Sequence, residues 1–205
     1  SGNFHDVSLS DDGSFITGST GCPDRRFYLF SKDSNNPIIR TEPLTRDSPV
    51  HRAKISADGT LAAVGSEADD GAVFLFSKDS KNQIWKFPTP QKSSVRALNF
   101  TPDGKYIGAA TFGGDAYIFD KDKNSPIASW KVNASLGGVD IADDGSYIVA
   151  GGTDNKLYIF DKNTKSKTEI PFDEYLEEID ISANGKYIAA GTGGSVYFFE
   201  TYISQ

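Results

Sequence analysis

The residues best suited to chemistry in this chain are few and widely spaced. His5 and His51 are its two histidines, and Cys22 is its one cysteine. A single thiol allows no internal disulfide, and Gly21 and Pro23 beside it read as loop rather than as a reactive site. Neither histidine has a partner at metal-ligand spacing, so no metal is expected. Two histidines, both near strand starts, give no Ser-His-Asp set either. Asp120-Lys121-Asp122-Lys123-Asn124 has the D-x-D-x-N opening of a calcium loop. The glycine that should follow and the distal glutamate are missing, which leaves a hairpin turn built by Asp and Asn. Gly113-Gly114, Gly151-Gly152 and Gly193-Gly194 would cradle phosphate only ahead of a helix. They lead into strand patterns and read as turns.

One spacing does recur. Eight residues before Gly13, Gly59, Gly104, Gly145 and Gly185 stand His5, His51, Arg96, Gly137 and Glu177. Those glycines follow Asp or Asn in turns that repeat roughly every 40–46 residues. Four positions before each lie Leu9, Ile55, Phe100, Ile141 and Ile181; six before lie Val7, Ala53, Leu98, Val139 and Ile179. Between them sit Ser8, Lys54, Asn99, Asp140 and Asp180. This alternation in register predicts a half-buried strand in every copy. Phe15, Leu61, Tyr106, Tyr147 and Tyr187 open a second strand of small residues after each turn. A third strand follows at 27–30, 73–76, 116–119, 157–160 and 196–199, and a fourth at positions such as 126–132. The unit is a four-stranded antiparallel meander repeated five times, at about 4–44, 45–90, 91–132, 133–171 and 172–205. In the last copy only 201–205 remain for a fourth strand.

No single copy can bury both faces of its sheet, so residues 1–205 are expected to form one all-β domain. The net charge of −7 makes nucleic acid and anionic membranes poor partners. No apolar run approaches the roughly 18 residues that span a bilayer. The chain contains no Met, and Ser1-Gly2 resembles a protease scar or the start of a fragment.

The stretch VDIADDGSYIVAGGTDNKLYIFD at 139–161 is similar to WD repeats. That family's Trp-Asp is replaced by Phe119-Asp120 and Phe160-Asp161, and by Phe30-Ser31, Phe76-Ser77 and Phe199-Glu200; its Gly-His dipeptide is absent. LFSKDSKNQIWKF at 75–87 and YIFDKDKNSPIASWKV at 117–132 resemble the repeats of pyrroloquinoline-quinone (PQQ) propellers. The resemblance implies a β-propeller of four-stranded blades, either a five-bladed ring or part of a larger one. It implies that first strands line a central channel whose mouth carries His5, His51, Arg96, Gly137 and Glu177. Trp85 and Trp130 fall at matching places on fourth strands, which are peripheral, so they read as packing between blades and no cofactor is expected.

The function these readings favour is a non-enzymatic scaffold for protein–protein contacts. Its candidate binding residues are His5, His51, Arg96 and Glu177 at the mouth, with Arg25, Asp69, Asp70, Asp115 and Asp154 on loops of the faces. Long connections at 20–26, 44–50, 67–71 and 172–178 would supply further contacts, and the acidic surface favours basic or mixed-charge partners. Two alternatives stand beside it. One is a structural, surface or filament repeat that self-associates through open blade edges. The other is a PQQ-dependent redox enzyme with calcium. Asn133-Ala134-Ser135 is a glycosylation candidate that would place the protein outside the cell; Asn99-Phe100-Thr101 lies within a strand and is a poor acceptor. A chain with one cysteine is equally compatible with the cytosol.

Overall fold

The computed structural model describes residues 2–201. Five antiparallel sheets follow one another along the chain, each strand pairing with its sequence neighbours. The first holds β1 (Phe4–Leu9), β2 (Phe15–Thr20), β3 (Phe27–Ser31) and a short β4 (Ile39–Arg40). The second holds β5 (Val50–Ile55), β6 (Leu61–Ser66), β7 (Ala72–Ser77) and β8 (Gln83–Pro88). The third holds β9 (Val95–Phe100), β10 (Tyr106–Thr111), β11 (Asp115–Asp120) and β12 (Pro126–Lys131). The fourth holds β13 (Leu136–Ile141), β14 (Tyr147–Gly152), β15 (Lys156–Asp161) and β16 (Lys167–Pro171). The fifth has three described strands, β17 (Leu176–Ile181), β18 (Tyr187–Thr192) and β19 (Val196–Glu200). Its expected fourth strand falls at 201–205, of which 202–205 lie outside the described residues. A single 3-10 turn, Pro90–Lys92, joins the second sheet to the third.

The β1–β2 turn shows why the alternation folds this way. Gly13 has φ 68, a backbone state that an L side chain resists. Its N–H reaches Ser10 O at 2.9 Å. Ser10 Oγ accepts the Phe15 N–H at 3.0 Å and donates to Asp12 at 2.7 Å. Ser56, Thr101 and Ser182 repeat both bonds in their own turns. In the fourth sheet the position is Ala142, and its turn lacks this hydroxyl.

Each sheet then behaves as a blade with two apolar faces. The residues four and six before the turn glycine pack against the preceding blade, together with the aromatic pair of the third strand. The opposite face packs against the next blade, and there fourth-strand aromatics wedge into the seam. Trp85 stacks on Phe119 at 5.4 Å between ring centres, and Trp130 on Phe160 at 5.2 Å. Their indole N–H groups donate to Lys121 O and Lys165 O, at 2.8 and 3.1 Å. The two tryptophans are not equivalent, which corrects the sequence reading. Trp85 pairs with Leu75, whereas Trp130 pairs with Ala116, two residues earlier along the third strand. Phe87 is the true counterpart of Trp130. Spacing alone misaligns them because copy two carries a longer connection at 67–71.

First strands adjoin one another in sequence, β1 to β5, β5 to β9, β9 to β13 and β13 to β17. They form the inner wall of an arc. The arc is not closed, because blade 5 makes no comparable packing with blade 1 among the described residues.

Candidate functional site

The pleat is interrupted at the same place in all five blades. The β1–β2 ladder jumps between Phe4 and Asp6, leaving His5 unpaired; the β5–β6 ladder jumps between Val50 and Arg52, leaving His51. Arg96 is skipped between Val95 and Ala97, Glu177 between Leu176 and Glu178, and Gly137 with Gly138 between Leu136 and Val139. A bulge residue leaves the ladder, bends the strand and re-aims its side chain. The five positions singled out by spacing are therefore a set of bulges at the head of the inner strands.

Three of these side chains converge. The rings of His5 and His51 meet edge to face with centroids 5.6 Å apart. Arg96 Nη1 lies 3.1 Å from His51 Nε2 and 3.0 Å from Glu67 Oε1. For Nε2 to accept from Arg96, the imidazole proton must sit on Nδ1. Glu67 Oε1 is 3.1 Å from that Nδ1, yet out of line for a hydrogen bond, so Nδ1 is buried unsatisfied. Arg52 Nε donates to Arg96 O at 2.5 Å and ties blade 2 to blade 3. Burial is the main influence on His51; Arg52 and Arg96 add to it, Glu67 opposes, and the imidazole is pushed down to about 4. The Arg96 guanidinium lies 3.9 Å over the ring of Phe112, which is 43% exposed.

The other two bulges hold a second, looser group. A Cβ on Gly137 would fall 2.2 Å from Tyr175 Oη, so a larger residue there would make the Tyr175 side chain shift. Burial, then Glu177 and Glu178, raise the Tyr175 phenol. Glu177 itself is exposed and joins neither histidine.

Most of the loop acids hold their own hairpins. Asp115 is buried; Thr111 Oγ1 donates to it at 3.2 Å and Lys131 Nζ at 3.1 Å. Asp154 accepts from Tyr158 Oη at 2.6 Å. Asp70 accepts the Arg46 N–H at 2.7 Å and pins the 44–50 connection. Arg25 lies 3.8 Å from Asp47, at the edge of ion pairing. Asp69 stands exposed with φ 72. Cys22 is an exposed free thiol whose Sγ donates to Asp47 O at 3.1 Å. Asn133 is exposed between blades 3 and 4.

Sequence reasoning passed over Arg52 and Phe112, and placed Glu67 and Tyr175 only within connections expected to supply contacts. An isolated Phe before a Gly-Gly turn carried no signal. It also passed over Asp140, midway along β13. Asp140 Oδ1 accepts from Asn99 Nδ2 at 2.6 Å and Ile141 N at 2.8 Å, and Oδ2 accepts Ile181 N at 2.8 Å. Burial, with Asp180 beside it, nevertheless holds this carboxyl well above the usual range. Asn99 is committed here, inside the inner wall.

A cleft of about 540 Å³ lies away from the mouth between blades 4 and 5. Thr168 and Ile170 stand there where the blade 2–3 and 3–4 seams have Trp85, Phe87 and Trp130 and the blade 1–2 seam has Ile39. Among the described residues, no group of three or more His, Cys, Asp and Glu is placed to hold a metal.

Residues 124–161 match the family model of the WD domain, G-beta repeat. Together with the five repeated sheets, the match fits a WD-repeat-like β-propeller. The matched unit is β12 to β15, the last strand of one sheet and the first three of the next. No curated protein matches the chain.

Proposed function

We propose that this chain is a non-enzymatic propeller scaffold that binds other proteins at the bulge mouth. The observation that carries the reading is Arg96 lying on the exposed ring of Phe112, beside His51 and Glu67. Arginine and aromatic side chains held rigid at a rim are the usual anchors of protein interfaces. The bulge fixes Arg96 on β9, and Phe112 stands in the short turn directly after β10, so little ordering entropy is lost on binding. One acid, one arginine and two histidines within contact suit a mixed-charge segment. Tyr175, with Glu177 and Glu178, extends the same face toward basic residues. His51, kept neutral at physiological pH, serves here as a hydrogen-bonding wall and not as a charge.

The test is peptide-display selection on the folded protein, scored against an Arg96→Ala/Phe112→Ala double variant. Selected peptides should bind the variant at least about tenfold more weakly, the loss expected for two anchor residues. Peptides that bind both proteins equally would move the site elsewhere. A second reading, a repeat of a structural assembly, is favoured by apolar residues left exposed at both ends of the arc.

A further inference from the structure

Four seams inside this chain share the same first-strand and third-strand apolar positions, and those positions stand exposed on the outer faces of blades 1 and 5. On the leading face, the residue six before the turn glycine is Ala53, Leu98, Val139 or Ile179, and the residue four before it is Ile55, Phe100, Ile141 or Ile181. All are at most 8% exposed. In blade 1 the same positions are Val7 and Leu9, each 62% exposed. Val7, with Phe4, Ile16, Gly18 and Phe30, lines an open groove of about 340 Å³. On the trailing face, Phe27 and Leu29, Val73 and Leu75, Ala116 and Ile118 are 0–1% exposed. Their counterparts in blade 5 are Val196 and Phe198, at 82% and 70%.

We propose that the trailing face of blade 5 docks on the leading face of blade 1 of a second copy, head to tail. Exposed apolar faces of this kind mark association sites. The two faces are complementary: blade 1 carries the first-strand apolar pair, and blade 5 the third-strand apolar pair, that meet at the seams within the chain. Polar groups match as well. Inside the arc, Ile55 N donates to Ser8 Oγ at 3.5 Å and Ile181 N to Asp140 Oδ2 at 2.8 Å. Asp180 holds the acceptor position on blade 5, and Leu9 holds the donor position on blade 1. At the turns, Asp11 N donates to Ala57 O and Asp143 N to Ala183 O, at 3.0 and 3.4 Å. Docking offers Ala183 N the carbonyl of Asp11 in the second copy. The contact is heterologous, so it closes into a ring or runs on as a filament.

This inference rests on the assembly reading and gives it a mechanism, with blade faces rather than strand edges in contact. Sedimentation velocity over a micromolar-to-millimolar series tests it on the wild type, Leu9→Asp and Phe198→Asp. Both positions are exposed in the monomer, so each variant should melt as the wild type does. The wild type should associate, and each variant alone should associate at least about a hundredfold more weakly, since a charge is buried unpaired. Mixed together, the two variants should form a heterodimer and nothing larger, through the one intact pair of faces. A wild type that stays monomeric throughout overturns both this inference and the assembly reading. Association that survives in both variants overturns head-to-tail docking alone, and so does a mixture that yields no heterodimer.

Discussion

Replacing His51 by Gln should remove a defined share of the protein's acid sensitivity. His51 has a side chain 22% exposed, between Arg96 and Glu67. Burial and two arginines push it down to about 4. In the unfolded chain it titrates near the ordinary value of about 6.5. The folded state therefore resists protonation, and its contribution is complete above about pH 6.5. That contribution is lost as pH falls from there through about 4. At about pH 4.5 the difference between the two values amounts to about 2.5 kcal/mol relative to neutral pH. Glutamine accepts from Arg96 as the neutral imidazole does, but it cannot take the proton. Urea denaturation at about pH 7.5 and 4.5 reads the effect as the change in stability of wild type minus that of the variant. Carboxylates that titrate in the same window cancel in that difference. The wild type should lose about 2.5 kcal/mol more than the variant on acidification. If Glu67 instead governed the imidazole, it would titrate above its ordinary value and the difference would reverse sign. Parallel losses or a reversed sign would refute the reasoning.

Other expectations follow from the turns, the inner wall and the seams. Ser56→Ala strips the Leu61 N–H of its acceptor and Asp58 of a donor; it should cost about 1–2 kcal/mol by chemical denaturation. Ala142→Ser supplies the missing turn hydroxyl and should gain about 0.5–1 kcal/mol by the same assay. Asp180→Asn removes the carboxyl beside Asp140. A raised folded value means that stability is lost as pH rises through it, so the variant should melt higher than wild type near pH 8, with little difference near pH 3; an equal shift at both would count against it. Trp85→Ala should cost about 3–5 kcal/mol, whereas Trp85→Phe, which loses only the bond to Lys121 O and some area, should cost about 1–2 kcal/mol.

The blades were legible because two local signals agree at the same positions. Glycine at φ 67–72 closes each first turn, and period-two alternation sets each inner strand. The mouth was legible as positions but not as geometry. A strict pleat would aim His51 and Ala53 to one face; the bulge between Val50 and Arg52 breaks that rule, and alternation carries no sign of it. Asp115 and Asp154 illustrate the opposite failure. Acids on loops read as solvated and free, but Thr111, Lys131 and Tyr158, all from their own hairpins, engage them. Asp140 holds the polar position of an alternating strand. Its burial depends on blade 5 closing over it, a contact some forty residues away that no local window contains.

The match over 124–161 also says what is being repeated. It joins β12 to the three strands after it, and so it contains both Trp130 and the Phe160 ring on which Trp130 stacks. The unit is thus one seam rather than one sheet. The matched repeat brings the wedge from one blade and the platform on the next, and its stability is a property of that junction. This explains why insertions fall where they do. The extra residues of copies one and two are shared between second-to-third connections, at 21–26 and 67–71, and fourth-to-first connections, at 41–49 and 89–94, all at the ends of the sheets, where added length costs little closure entropy. A seam-based unit also separates the two surfaces of the molecule. The bulge mouth sits at strand heads, apart from the apolar cores of the seams, although the His5–His51, His51–Arg96 and Arg52–Arg96 contacts also cross between blades. The faces of blades 1 and 5 are junction halves, so Val7, Leu9, Val196 and Phe198 follow the rules of the interior although they stand in solvent.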